Sequence, residues 1–276
     1  MKTNSASLTL HLTNITVLVT RADQQSNNFI NLLQQYGATA LSMSCLCIKP
    51  PTSWEPIDNA IANISQFDWL IFTSTNGIDY FCNRMIHNQG NINALKNIKV
   101  AVVGSKTRLH LVNNYGITPN FTPPDFVSDS LIEYFPDRDN LRGTKILYPK
   151  LETGGRENIP EQLSSLGATV TAIPAYQSNC SSEIPSTIET AFKKGQINVV
   201  TFASPKTVEC FNQMIQAIGG EYLLDNICIA SIGPVTSVAC KNVLGRVDVE
   251  AQPYTLDGLV KAIIEWNNYE KNQNEL

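Results

Sequence analysis

The chain has 276 residues, of which 43% are hydrophobic and 16% charged, and its formal net charge is −4. That length suits two lobes of ordinary size, and that composition builds packed cores, which excludes an intrinsically disordered chain. A mildly acidic chain carries no global basic signal, so nucleic acid is not an expected partner, and an anionic ligand would need a local basic pocket.

In chain order, residues 16–20 (TVLVT) read as a short buried strand that stops at Arg21. A helix follows from about Asp23, with Phe29, Leu32, Leu33 and Tyr36 at helical spacing and Gly37 closing it. Residues 38–48 read as one extended run, and residues 57–64 as a short amphipathic helix. Residues 68–73 form the next strand and meet the turn Ser74, Thr75, Asn76, Gly77, after which Ile78, Phe81, Cys82 and Met85 line a helix. Residues 99–103 give another strand and run into Gly104, Ser105, Lys106 and Thr107, and residues 127–135 are a further helix.

The second half opens with the strand 145–148, which ends at Pro149 and Lys150. A glycine-rich turn holding Gly154 and Gly155 precedes Arg156 and a helix closed by Gly167. Residues 170–178 are rich in β-formers but interrupted by Pro174, which argues for an edge or connector rather than a central strand. This stretch is expected to be half of the waist between two lobes, with Tyr176 hanging into a cleft. Strands at 198–203 and 228–232 run into Ser204 and Pro205 and into Gly233, Pro234, Val235 and Thr236. The last helix holds Leu256, Leu259, Val260, Ile263 and Ile264.

Alternating strands and helices predict α/β lobes with parallel sheets. The halves also repeat one another. Gly37 answers Gly167, Ser74 answers Ser204, Gly104 answers Gly233 and Asp129 answers Asp257, with offsets of about 130 residues, the length of a duplicated lobe. Several strands run straight into a Ser, Thr or Gly turn that opens a helix, placing those turns at the carboxyl edge of a sheet, where open α/β folds bind ligands. Facing edges lined by helix N-termini would hold an anion with many carboxylates.

Ser74, Thr107, Ser204 and Thr236 sit at such turns, where N-capping alone would also explain a Ser or Thr. Arg21 and Lys150 each follow a buried strand, Arg156 follows two glycines, and Lys106, Arg108 and Lys206 stand near the same turns, where a solvated surface charge is the plain alternative. A phenol with its ordinary pKa of about 10 is protonated at neutral pH, so Tyr176 could act as a general acid. The chain has no G-x-G-x-x-G, P-loop or G-x-S-x-G motif, which argues against a dinucleotide enzyme, an NTPase and a serine hydrolase.

The seven cysteines include no C-x-x-C pair, most lie in apolar surroundings as buried free thiols do, and a reducing compartment is expected; the three histidines make no metal-spaced cluster. No metal or cofactor is expected. The N-terminal residues lack the apolar core of a signal peptide, and no window reaches the length of a membrane span, so a cytoplasmic protein without membrane partners is expected.

The ordered segments LVTR, FTSTNG, VAVVGSKT, GGRENIPEQLSSLGATV, AYQS, TFASP, ASIGPVTS and PYTLDGLVKAI resemble those of the uroporphyrinogen-III synthase family, over about residues 15–266. The resemblance implies two similar α/β lobes, each a parallel sheet flanked by helices. One lobe would take residues 1–41 and 179–276, the other 50–169, with a two-stranded connector of 42–49 and 170–178. It implies an enzyme that cyclises hydroxymethylbilane to uroporphyrinogen III with loss of water and inversion of ring D through a spiro intermediate. Tyr176 matches the tyrosine proposed to assist the leaving hydroxyl. Thr107 and Thr236 match family threonines, Ser74 and Ser204 match turn serines, and Arg156 matches a basic residue after the glycine turn; Arg21, Lys150 and Gly233 complete the expected binding set. Ala22 and Ala203 depart from the family's usual Pro and Thr or Ser. A monomer is expected. The rival is a non-catalytic two-lobed binder of an anionic small molecule.

Overall fold

The structure, a computed structural model, describes residues 11–21, 23–125, 128–154 and 158–274. In chain order its strands are β1 (Thr16–Val19), β2 (Thr39–Ser42), β3 (Leu46–Lys49), β4 (Trp69–Phe72), β5 (Lys99–Val102), β6 (Lys145–Leu151), β7 (Thr169–Cys180), β8 (Val199–Phe202), β9 (Cys228–Ser231) and β10 (Val249–Glu250). The helices are α1 (Asp23–Gln35), α2 (Glu55–Ala62), α3 (Thr75–Gln89), α4 (Ser105–Tyr115), α5 (Ser128–Glu133), α6 (Asn158–Ser165), α7 (Ser186–Lys193), α8 (Pro205–Ile218), α9 (Pro234–Leu244) and α10 (Leu256–Asn274). The chain divides into two compact units, Met1–Cys47 with Asn179–Leu276 (unit 1) and Ile48–Ser178 (unit 2).

Unit 1 carries a parallel sheet ordered β10-β9-β8-β1-β2. Both faces are covered. Leu18, Val200 and Phe202 pack with Phe192, Phe211 and Ile215, while Val17, Val19 and Val199 pack with Phe29, Leu33 and Ile263. A strand buried on both faces has no polar side to expose, which is why these strands read as unbroken apolar runs.

Unit 2 follows the same plan. Its sheet is ordered β3-β7-β6-β4-β5, with β4, β5, β6 and β7 parallel. Leu70, Phe72 and Leu147 pack on Ile57, Ile78 and Phe81, and Trp69, Ile71 and Ile146 pack on Leu131, Phe135 and Ile159. The expected α/β class, with parallel sheets flanked by helices, holds.

The duplication extends to single hydrogen bonds. Laid over β2-β1-β8-β9, the corresponding strands of unit 2 are β7-β6-β4-β5. The Thr16 N–H donates to Asn198 Oδ1 at 2.8 Å, and the Lys145 N–H donates to Asp68 Oδ2 at 2.8 Å. The Ile229 N–H donates to Asp248 Oδ2 at 2.7 Å, and the Val100 N–H to Asn120 Oδ1 at 2.8 Å. In each unit, then, Asn or Asp side chains take up N–H groups at the amino ends of the strands, which no neighbouring strand satisfies there.

Two local expectations change. The run 38–48 is not one strand: it splits into β2, in the first sheet, and β3, in the second. Pro174 does not put its strand at an edge, since β7 lies between β3 and β6 in the strand order. The missing N–H is accommodated by a bulge: Lys150 registers with Pro174, but Leu151 registers with Tyr176, skipping Ala175.

The cysteine reading is also corrected. Cys180, at the end of β7, and Cys210, in α8, form a disulfide across a sequence separation of 30. Folding brings their Cα atoms to 4.9 Å, a proximity that spacing alone does not encode. Cys45, Cys47, Cys82, Cys228 and Cys240 are free, and burial pushes the Cys45, Cys82 and Cys240 thiols up to about 12. Among the described residues, no helix is long and apolar enough to cross a membrane.

Candidate active site

In a doubly wound sheet the ligand crevice lies at the carboxyl ends of the strands, where the strand order reverses. In unit 1 that point falls between β1 and β8, whose ends lead to Arg21 and Ser204. In unit 2 the corresponding strands are β6 and β4, leading to Lys150 and Ser74.

In unit 2, Ser74 has extended backbone (φ −153°, ψ 154°), and its hydroxyl accepts the Gly77 N–H at 3.0 Å, capping α3. The same oxygen lies 3.0 Å from the Tyr176 hydroxyl. Tyr176 is only 9% exposed, and its ring stacks on Tyr80 with centroids 6.1 Å apart; Tyr80 in turn stacks on Trp54 at 6.3 Å. The bulge at Pro174 fixes which way Tyr176 faces, because one extra residue inverts the alternation of side chains along a strand. Tyr148, on neighbouring β6, reaches Thr73 Oγ1 at 3.2 Å.

In unit 1 the Thr20 hydroxyl donates to the Thr201 carbonyl at 2.6 Å and the Thr201 hydroxyl donates to the Leu18 carbonyl at 3.2 Å, stitching β1 to β8 just before Arg21. Arg21 is half-buried, and burial pulls its pKa below the usual arginine value, because removing solvent disfavours the charged form. An anion beside it would oppose that shift. Ser204 caps α8, accepting the Thr207 N–H at 3.3 Å, and its hydroxyl also meets Thr207 Oγ1 at 2.8 Å.

The serines and threonines at these turns play different parts. Ser74 and Ser204 are side-chain caps. Thr107 and Thr236 are not: α4 is capped by Gly104 and α9 by Gly233, with no side-chain cap bond in either case. Both threonines occupy the third position of their helix and are buried, 7% and 4% exposed. Among the described residues neither hydroxyl has a protein hydrogen-bond partner. Gly104 needs its glycine for a φ of 96°. At Gly233, where the backbone is extended, a Cβ would come within 3.3 Å of the exposed Tyr254 ring, which would have to shift slightly to admit it. The Ser231 hydroxyl braces this turn, donating to the Gly233 carbonyl at 2.9 Å and accepting its N–H at 3.2 Å.

Within unit 2 the fold therefore brings together Ser74, Tyr176 and the end of β6 at Lys150, which is half-buried. Thr107 starts the next helix along the same edge. In unit 1, Arg21, Ser204, Gly233 and Thr236 share the carboxyl edge. Arg156 lies outside the described residues. Lys106, Arg108 and Lys206 are exposed, and Lys206 is paired with Glu209 at 3.3 Å, the solvated-charge alternative. Sequence reasoning missed Tyr80 and Trp54. Tyr80 lies in α3, nearly two helical turns beyond Ser74, and no local pattern announces that it meets Tyr176. A concavity of about 910 Å³ around Asp68, Lys99 and Arg142 opens at the amino ends of β4, β5 and β6, away from all of these groups.

The family described as "Uroporphyrinogen-III synthase HemD" matches residues 27–261. A curated uroporphyrinogen-III synthase of Synechococcus elongatus is 42% identical over 254 residues, 91% of this chain and 95% of that protein. Two solved structures share the fold: a uroporphyrinogen-III synthetase from Helicobacter pylori (TM-score 0.58, 13% identity, 91% of this chain and 99% of that one) and a mutant uroporphyrinogen III synthase from Thermus thermophilus (TM-score 0.54, 15% identity, 93% and 99%). With a family match across most of its length and a relative of this identity spanning nearly all of both chains, the chain belongs to the uroporphyrinogen-III synthase family.

Proposed function

We propose that this chain cyclises hydroxymethylbilane, a linear tetrapyrrole with eight carboxylate arms, to uroporphyrinogen III. The observation that carries the reading is the pair of buried threonine hydroxyls, Thr107 and Thr236, without a partner among the described residues, at equivalent helix starts of the two units. A buried hydroxyl without a partner costs about 1–3 kcal/mol, and a ligand oxygen is the simplest thing to offset it. Both stand beside helix N-termini whose free N–H groups favour anions.

In this reading the substrate carboxylates are taken by the N-termini of α3, α4, α8 and α9, by Arg21 and Lys150, and by Arg156. Gly233 lets backbone approach the ligand. The substrate cyclises without assistance, unflipped, so the enzyme needs neither a strong nucleophile nor a metal. Its work is to hold one conformation and to favour loss of water. Tyr176 supplies the proton: its O–H goes to the leaving hydroxyl as the C–O bond breaks, and that bond's electron pair leaves with the water. The azafulvene cation is attacked by the substituted carbon of ring D, and the spiro intermediate opens and recloses with that ring reversed. The proton released as the last pyrrole regains aromaticity returns to the Tyr176 phenolate, so the net change is loss of one water.

We place the protein in the cytoplasm because five of its seven cysteines stay free, weighing these above the single Cys180–Cys210 disulfide, and expect a monomer that takes this small molecule as its partner. The test is direct. Freshly made hydroxymethylbilane is incubated with the protein, oxidised, and the porphyrin isomer identified. Type III is expected; type I alone would overturn the enzyme reading in favour of a non-catalytic binder.

A further inference from the structure

The two units treat the same capping serine in opposite ways. Ser74 and Ser204 each accept the N–H of the third helical residue, Gly77 in unit 2 and Thr207 in unit 1. In unit 1 the Thr207 side chain turns back, and its hydroxyl takes the Ser204 oxygen at 2.8 Å. In unit 2 the third residue has no side chain, and the hydroxyl that meets the serine is that of Tyr176, 102 residues away in sequence, at 3.0 Å. A Cβ built on Gly77 would lie 3.2 Å from Ser74 Oγ, 3.5 Å from the Pro149 carbonyl oxygen and 3.9 Å from Tyr176 Cε1. The cap oxygen is the one tight neighbour, while the end of β6 and the tyrosine ring sit at ordinary contact distance. A γ-hydroxyl beyond that Cβ would compete with the phenol for Ser74, as Thr207 does for Ser204.

We propose that Gly77 is a positioning residue for this proposed reaction: its missing side chain reserves the Ser74 hydroxyl for Tyr176, and Ser74 and Tyr176 act as one two-hydroxyl proton donor. The hydrogen bookkeeping allows this. Ser74 Oγ accepts the Gly77 N–H and still has one hydrogen and a second lone pair, so it can stabilise the Tyr176 phenolate by donating to it once the phenol proton has left. The inference rests on the reading of Tyr176 as the proton donor. It adds that the choice of donor-bearing unit is written at the third position of the helix, glycine in one copy and threonine in the other.

The test is a pair of double-mutant cycles, read as kcat and KM for type III product, with thermal unfolding as the check on folding. Tyr176→Phe is expected to lower kcat by about 100-fold. Gly77→Ala is expected to lower kcat by about 10-fold with KM within about twofold of wild type, and to cost less than about twofold when Tyr176 is already Phe. Gly77→Thr, which copies the other unit, should lower kcat further than Gly77→Ala. An equal loss from Gly77→Ala in both backgrounds would make the glycine merely structural and overturn the proposal. A second cycle leaves Gly77 in place: Ser74→Ala and Tyr176→Phe should combine to little more than the larger single effect, and fully multiplicative losses would overturn the paired donor. If Tyr176→Phe alone keeps wild-type kcat, the reading of Tyr176 as acid fails first, a result distinct from either of these.

Discussion

Thr107 and Thr236 occupy the same place in two copies of one fold, each the third residue of the helix that follows the corresponding strands β5 and β9, and each buries a hydroxyl with no protein partner among the described residues. Removing an unsatisfied buried hydroxyl while keeping the shape of the side chain should not destabilise the protein. Thr107→Val and Thr236→Val are therefore expected to leave thermal unfolding unchanged or raise stability by up to about 1 kcal/mol, while kcat/KM falls by about 10-fold or more through a lost hydrogen bond of about 1.5–3 kcal/mol to a charged carboxylate. Calorimetry alongside product assays checks this. Loss of stability with intact activity would mark these hydroxyls as part of the scaffold.

Tyr176→Phe removes one oxygen from a ring that is 9% exposed and stacked on Tyr80. Burial and stacking survive the substitution, so the cost to folding should stay near that of one hydrogen bond, about 1 kcal/mol, against about 100-fold in turnover. Unfolding midpoints and kcat measured on one preparation separate the two effects. A drop in stability that accounts for the lost activity would count against the acid role.

Gly258 lies in the first turn of α10, where an added Cβ would fall 1.9 Å from the Pro253 carbonyl oxygen. Backbone oxygen cannot swing away as a side chain can. Gly258→Ala should therefore force a shift of the segment and destabilise by about 3 kcal/mol, the upper range for overpacking. Denaturant titration checks it, and a change below about 0.5 kcal/mol would mean the segment yields freely.

Asp58 clamps α2 to α3, accepting Arg84 Nε at 2.7 Å, Arg84 Nη2 at 2.6 Å and Asn88 Nδ2 at 2.7 Å. The Arg84 hydrogen bond holds its carboxyl below the ordinary carboxylate range, and the guanidinium also lies 4.7 Å from the Trp54 ring centroid. A carboxyl whose folded pKa is depressed contributes stability above its unfolded pKa of about 3.9, and that contribution is lost as pH falls through the folded value. Both side chains are partly exposed, 34% and 22%, so screening keeps the worth of the pair to about 1 kcal/mol or less. Asp58→Asn should be less stable than wild type at pH 7, and the gap should close as pH falls below the ordinary carboxylate range. A gap that stays constant across that range would assign the loss to shape rather than charge.

Much of this molecule is legible in one sequence because the fold states itself twice. Runs such as VLV, WLIF and VVTF are unbroken because both faces are covered, and the last two lead within two residues to a serine that caps the next helix. What was hidden depends on pairing across sequence distance. Nothing near Ser74 says that its hydroxyl meets Tyr176 rather than a neighbour, as Ser204 does. Serine and threonine look alike at a turn, yet Ser74 caps and Thr107 does not, because Gly104, three residues earlier, already holds the capping position of α4. Pro174 argued for an edge because the bulge that admits it, a property of two strands, cannot be seen in one. Cys180 and Cys210 stand apart until α8 folds onto the end of β7.

The route of the backbone through unit 1 bears on how the protein is made. Strand β1 leaves the ribosome early, yet its central neighbour is β8, and Val17 pairs with Val199. At about 5–20 residues per second, β1 waits for roughly 10–40 s before that neighbour exists. During that interval the strands of unit 2, from Trp69 onward, are synthesised in one uninterrupted block. Unit 1 is therefore completed only after unit 2, and the β8-facing side of the apolar strand β1 lacks its partner until then.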